Sequence, residues 1–209
     1  LGEVLNVMHT DIKEKLMSRQ VAKALIALSA CWVISAAFAV EVEPYDVPDV
    51  DPRDDFQDFF AQVADNVFVT GQPNQAGLED MRESGVVKVI NLRTQQEMNN
   101  RKVVPFDEAQ AVQKLGMQYV HIPLGGPGAP YSPAGLKEFA DAIESAEGPV
   151  LLHCTVAWRA SHMWAAYLVA HQGFSIGDAV AVGKKMNMGG YPFAEFLDRD
   201  VSLEPKNDG

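Results

Sequence analysis

Pro149-Val-Leu-Leu-His-Cys154-Thr-Val-Ala-Trp-Arg159-Ala-Ser161 is the stretch that decides how this chain is read. A short apolar run, 149–153, has the look of a buried strand and ends on His153. Cys154 follows, then Thr155, Val156, Ala157 and Trp158, and Arg159 opens a helix expected over 160–171, with Gly173 just past its end. A strand–loop–helix junction turns successive backbone N–H groups toward one point, and the helix N-terminus adds partial positive charge there. Such a nest holds a phosphate or a similar oxyanion. The planar guanidinium of Arg159 can grip two oxygens of that anion at once, which a lysine cannot. The same field favours thiolate over thiol, and the thiolate is the nucleophile. Cys154 and Arg159 are therefore the expected catalytic pair, and Thr155, Val156, Ala157, Trp158 and Arg159 the expected oxyanion ligands. His153 either tunes the thiol or satisfies a core hydrogen bond. Ser161 either assists the leaving thiolate or caps the helix.

Outward from this junction, apolar runs alternate with helical patterns. Strands are expected at 66–70, 86–91 and 118–122. Helices are expected at 76–84 with Gly85 as stop, at 107–115 ended by Gly116, at 133–146 with Ser132 as N-cap and Pro133 in the first turn, and at 175–186 capped by Ser175. Strands alternating with helices predict an α/β fold, a central mostly parallel sheet flanked by helices. Met163, Trp164, Tyr167 and Leu168 recur at helical spacing and belong to the core.

His153-Cys154, a short loop and Arg159 resemble the signature of cysteine-dependent protein phosphatases of the dual-specificity type. Those usually place five residues between Cys and Arg. The four found here are similar to the bacterial beta-lactamase-hydrolase-like phosphatase family. Val69-Thr70-Gly71-Gln72-Pro73 resembles that family's opening strand and turn. Val89-Ile90-Asn91-Leu92-Arg93, with Glu97 after it, resembles the second strand and its exit, and Val120-His121-Ile122-Pro123 the third strand. The resemblance covers about 66–173. It implies a hydrolase of phosphate esters working through a cysteinyl-phosphate, with no cofactor and a small oxyanion or phosphoester as partner.

Two departures stand out. The resemblance implies a glycine in the Cys–Arg loop, whereas Val156, Ala157 and Trp158 fill it; a nest that needs φ above zero is then strained or reshaped. It also implies an aspartate as proton donor on an upstream loop. That region here is Leu124-Gly-Gly-Pro-Gly-Ala-Pro-Tyr131, which has no carboxylate. Glu138 and Asp141 lie on the next helix. Arg93 and Glu97 are expected to form a structural ion pair near the pocket, and His121 and His162 to support the fold. Two other readings stay open: a rhodanese-type sulfurtransferase carrying a persulfide on Cys154, and a non-catalytic oxyanion-binding module.

A net charge of −11 argues against a nucleic-acid or anionic-membrane partner. With two cysteines, Cys31 and Cys154, and no clustered histidines, no metal motif is present. Met17 begins a short basic run, an apolar stretch follows, and Ala37-Phe38-Ala39 closes it, the order of a secretory signal. This predicts an N-terminal extension and signal at 1–39 with the start at Met17, an acidic Pro-containing linker at 40–55, a phosphatase-like domain at 56–200 and a tail at 201–209. Localisation would be periplasmic or secreted, with no membrane attachment after cleavage. Leu28-Ser29-Ala30-Cys31 offers an alternative, a lipoprotein anchored at Cys31. Oligomeric state has no signal.

Overall fold

The structure is a computed structural model that describes residues 51–200. The signal, the tail and most of the linker expected from the sequence lie outside the described residues. Among those described, no helix is long and apolar enough to cross a membrane.

Five strands form one sheet: β1 (Phe60–Ala64), β2 (Val67–Thr70), β3 (Lys88–Asn91), β4 (Gln118–His121) and β5 (Val150–His153), in the order β1-β2-β5-β3-β4. All neighbouring pairs are parallel except β1 with β2. The sheet is thus mostly parallel, as the alternating pattern implied, with an added antiparallel edge. β1 was not expected, because Phe-Ala-Gln-Val-Ala is too short and too mixed in polarity to stand out. Helix α1 (Gln75–Glu83) follows β2, α2 (Gln95–Asn99) and α3 (Glu108–Lys114) follow β3, and α4 (Pro133–Glu144) follows β4. After β5 come α5 (Trp158–His171), α6 (Ile176–Lys185) and α7 (Phe193–Leu197).

Helices cover both faces, so the inner strands are buried throughout and read as continuous apolar runs. On one face Phe68, Val89 and Leu151 pack with Leu78 and Met81 of α1, Val112 of α3, and Phe56 and Phe60. On the other, α5 lies against β2 and β5, and α4, α6 and α7 pack around α5. Met163, Trp164, Tyr167 and Leu168 are all buried there. Even the buried Lys88 is put to use: its Nζ donates to the Ala142 carbonyl at 2.6 Å and to Ser145 Oγ at 2.9 Å, closing the C-terminal end of α4.

The register places Thr70 beside His153, His153 beside Asn91, and Asn91 beside His121. The parallel strands therefore end level, and their exit loops share one edge of the sheet. Ligands of open α/β sheets bind at that edge.

Candidate active site

Cys154 leaves β5 at this edge, with its N–H toward the Thr70 carbonyl at 3.4 Å. It is a free cysteine and only 1% exposed, at the base of the loop. The backbone N–H groups of Thr155, Val156, Trp158 and Arg159 donate to no protein acceptor among the described residues, while the antiparallel bridge of Gly71 with Val156 turns the Ala157 N–H toward the Thr70 carbonyl. The first amide of this segment to close a helical bond is that of Ser161, onto the Ala157 carbonyl at 2.8 Å. Helix α5 thus begins without a side-chain cap, at an Ala157 with φ of 61°. The left-handed turn that the nest requires is present, carried by alanine instead of glycine. For an L-residue that conformation costs about 1–2 kcal/mol.

The loop is held from outside. The Thr155 carbonyl accepts from the Gln72 amide at 2.9 Å, and the Val156 carbonyl accepts from Asn187 Nδ2 at 2.8 Å. Gly71 makes the first of these close approaches possible: a Cβ there would lie 1.6 Å from the Gln57 carbonyl oxygen and 3.0 Å from that of Thr155. On the other side Gly189 abuts the Trp158 indole and donates its N–H to His162 Nε2 at 3.2 Å.

Arg159, whose side chain is 12% exposed, makes its two-pronged grip on Glu97, at 2.8 Å from Nη1 and 2.5 Å from Nη2. Nη1 also donates to the carbonyls of Leu92 and Leu124, each at 3.1 Å, and Nη2 to Thr155 Oγ1 at 3.2 Å. The fork expected to hold two anion oxygens is therefore anchored on a carboxylate, because Glu97 offers the same planar pair of acceptors. Its Nε–H makes no hydrogen bond to protein among the described residues. The expected Arg93–Glu97 contact exists at 3.7 Å, but Arg159 is the main partner of Glu97. Burial would raise the Glu97 carboxyl; the hydrogen bonds from Arg159, the Thr94 amide and the Thr155 hydroxyl overcome it and hold the group at about 2.

Beneath the loop lies a buried polar network. Glu108 Oε1 takes Asn91 Nδ2 at 2.8 Å and His153 Nε2 at 3.1 Å, and Glu108 Oε2 takes Gln72 Nε2 at 2.5 Å. Gln72 Oε1 in turn accepts from Arg93 Nη1 at 2.7 Å. Burial pushes the Glu108 carboxyl up, and His153, Gln72 and Tyr119 bring it down to about 2, so it is ionised. His153 thus points into this network. Ser161 donates to the Trp158 carbonyl at 2.8 Å, inside the first turn of α5. His121 donates to the Arg93 carbonyl at 2.7 Å. Glu138 and Asp141 sit on the exposed face of α4, where Asp141 pairs with Lys137.

The residues that sequence reasoning missed are those acting through distant partners. Glu108, Gln72 and Asn187 carry no local sign of their roles. Thr94 does, because Thr94-x-x-Glu97 is a capping box, and both of its hydrogen bonds form at the start of α2.

A family model for "DSP-PTPase phosphatase fused to NAD+ Kinase" matches residues 42–195. The chain belongs to that family. This DSP-PTPase assignment agrees with the site just described, a cysteine and an arginine bracketing a loop of open amides. The Beta-lactamase hydrolase-like protein of Xylella fastidiosa is 29% identical over 103 residues, which is 49% of this chain and 23% of the relative. The matched segment thus spans about a quarter of that protein's length. Among solved structures, PTPMT1 in complex with PI(5)P has a TM-score of 0.56 at 16% identity, covering 66% of this chain and 90% of that one. Tk-PTP in its active form has a TM-score of 0.54 at 19% identity, covering 66% and 91%. Both carry the dual-specificity-phosphatase fold found here.

Proposed function

We propose that this domain hydrolyses phosphate monoesters through a cysteinyl-phosphate on Cys154. The observation that carries the reading is the loop directly after Cys154, where the amides of Thr155, Val156, Trp158 and Arg159 have no protein acceptor among the described residues and lead into an uncapped helix N-terminus. The thiolate of Cys154 attacks phosphorus and the ester P–O bond breaks. The loop amides and Arg159 Nε–H receive the charge on the equatorial oxygens. Water then attacks the phosphorus, the P–S bond breaks, and phosphate leaves with the thiolate restored. The guanidinium, locked by Glu97, supplies fixed positive charge that needs no reorganisation during transfer. A net charge of −11 favours small phosphoesters over broad polyanions as substrates. The basic, apolar and small-residue order at 17–39 supports action in the periplasm or outside the cell.

Cys154→Ser tests the reading. Turnover of p-nitrophenyl phosphate should vanish while inorganic phosphate or tungstate still binds. Unchanged turnover by that variant removes Cys154 from the mechanism. Cyanide-dependent consumption of thiosulfate without phosphate release would instead favour sulfur transfer, and anion binding without any turnover a binding module.

A further inference from the structure

The loop between β4 and α4 lacks the carboxylate that would protonate a leaving oxygen, yet it is tied into the site. The Leu124 carbonyl is held by Arg159 Nη1 at 3.1 Å. The next residue, Gly125, has φ of 84° and lies directly against Tyr131: a Cβ on Gly125 would come within 2.3 Å of the Tyr131 hydroxyl oxygen. A tight turn, Gly125 N–H to the Ala129 carbonyl at 2.8 Å and Ala129 N–H to that of Gly126 at 3.0 Å, folds Tyr131 back onto the loop's start. Its ring stands edge-on to Trp158 of the Cys–Arg loop, with centroids 6.4 Å apart, and edge-on to Tyr191 and Phe196, each at 5.6 Å. The Tyr131 hydroxyl makes no hydrogen bond to protein among the described residues.

The carboxylates around the site are otherwise engaged. Glu97 is ionised and clamped by Arg159; Glu108 is ionised and buried under His153, Asn91 and Gln72. Resting on the phosphatase reading above, we propose that the Tyr131 hydroxyl is the proton donor to the leaving oxygen. As the Cys154 S–P bond forms and the ester P–O bond breaks, the phenolic proton passes to the departing oxygen and an alcohol leaves. The resulting tyrosinate faces the positive charge of Arg159. In the second step water attacks the phosphorus, its proton returns to Tyr131, and the P–S bond breaks. Burial raises the phenol above its ordinary value while Arg159 opposes that rise, with Tyr191, Cys154 and Glu97 close enough to act on the same group. A phenol is a competent acid toward a departing alkoxide, which is far more basic.

Tyr131→Phe keeps the ring contacts and removes only the proton. Rates on alkyl phosphates should fall by about 10²- to 10⁴-fold, while p-nitrophenyl phosphate, whose phenolate departs unprotonated, should fall by less than about tenfold. Phosphate affinity should persist, and Tyr191→Phe, altering a side chain on a residue that is 55% exposed, should leave the leaving-group dependence of the parent. An equal loss across all leaving groups, no loss at all, or a selective loss in Tyr191→Phe instead, overturns the assignment with the phosphatase reading intact. A parent protein that releases no phosphate from any aryl ester overturns both.

Discussion

Arg159 and Glu97 face each other across two hydrogen bonds, 2.8 and 2.5 Å long, that join the first turn of α5 to the start of α2. The pair orients the guanidinium edge that an anion would meet, and Thr155 completes the triangle by donating to Glu97 Oε1 at 2.9 Å.

Glu97→Ala releases both partners. Stability should fall by about 2 kcal/mol, since charge-assisted bonds in a partly buried setting are lost. More telling is catalysis: with the guanidinium no longer positioned, kcat/KM for p-nitrophenyl phosphate should fall about 10²-fold. Urea melts and steady-state rates measured on the same preparation separate the two effects. An unaltered kcat/KM would mean that the carboxylate has no part in orienting Arg159.

Ala157 holds φ of 61° in a fully buried place. Ala157→Gly relieves about 1–2 kcal/mol of backbone strain and gives back about 0.5–1 kcal/mol through the freer unfolded chain. The net gain should be about 0.5–1 kcal/mol, a rise in Tm of roughly 1–4 °C. Phosphate affinity should hold or improve. A lower Tm would show that the alanine methyl contributes packing that outweighs the strain.

His162 is fully buried, and desolvation lowers it from its ordinary value near 6.5 to about 4. Its Nε2 accepts from Gly189, so the ring is neutral in the fold. The unfolded chain takes up this proton below about pH 6.5 and the folded one only below about pH 4. Stability should therefore drop as pH falls through that window, by about 3 kcal/mol in all. Glu97 and Glu108, both held at about 2, add a second loss as pH falls from about 4.5 toward 2. Melts of His162→Gln between pH 7 and pH 4 should show a flatter slope than the parent. An identical slope would assign the first loss to another group.

The junction around Cys154 was legible because each part leaves a local trace: an apolar run, a thiol, an arginine at fixed distance and a helical period. The parallel inner strands were legible for the same reason, since burial on both faces writes itself as Val-Ile and Leu-Leu runs. β1 was not, because Gln62 interrupts its apolar residues and no glycine or proline marks its start. Glu108 was not legible either. Its placement depends on four strands ending level, so that Asn91, His153 and Gln72 converge from separate segments onto one carboxylate. The deficit of glycine in the loop implied strain or a reshaped loop, and the position that takes φ above zero, Ala157, has no mark in the sequence that sets it apart from Val156 or Trp158. Glu97 was seen beside Arg93, four residues earlier, whereas its principal partner lies 62 residues away.

A trans peptide unit is flat, with its carbonyl and its amide hydrogen on opposite sides. Tethering the Thr155 oxygen to Gln72 therefore aims the Val156 hydrogen the other way, and the Val156 oxygen is tethered in turn to Asn187. The receptor surface is thus moulded from its reverse side, by residues that never meet the guest. Side-chain identity along the rim is thereby set free, and a rim of valine, alanine and tryptophan can present the same donors a glycine-bearing one would.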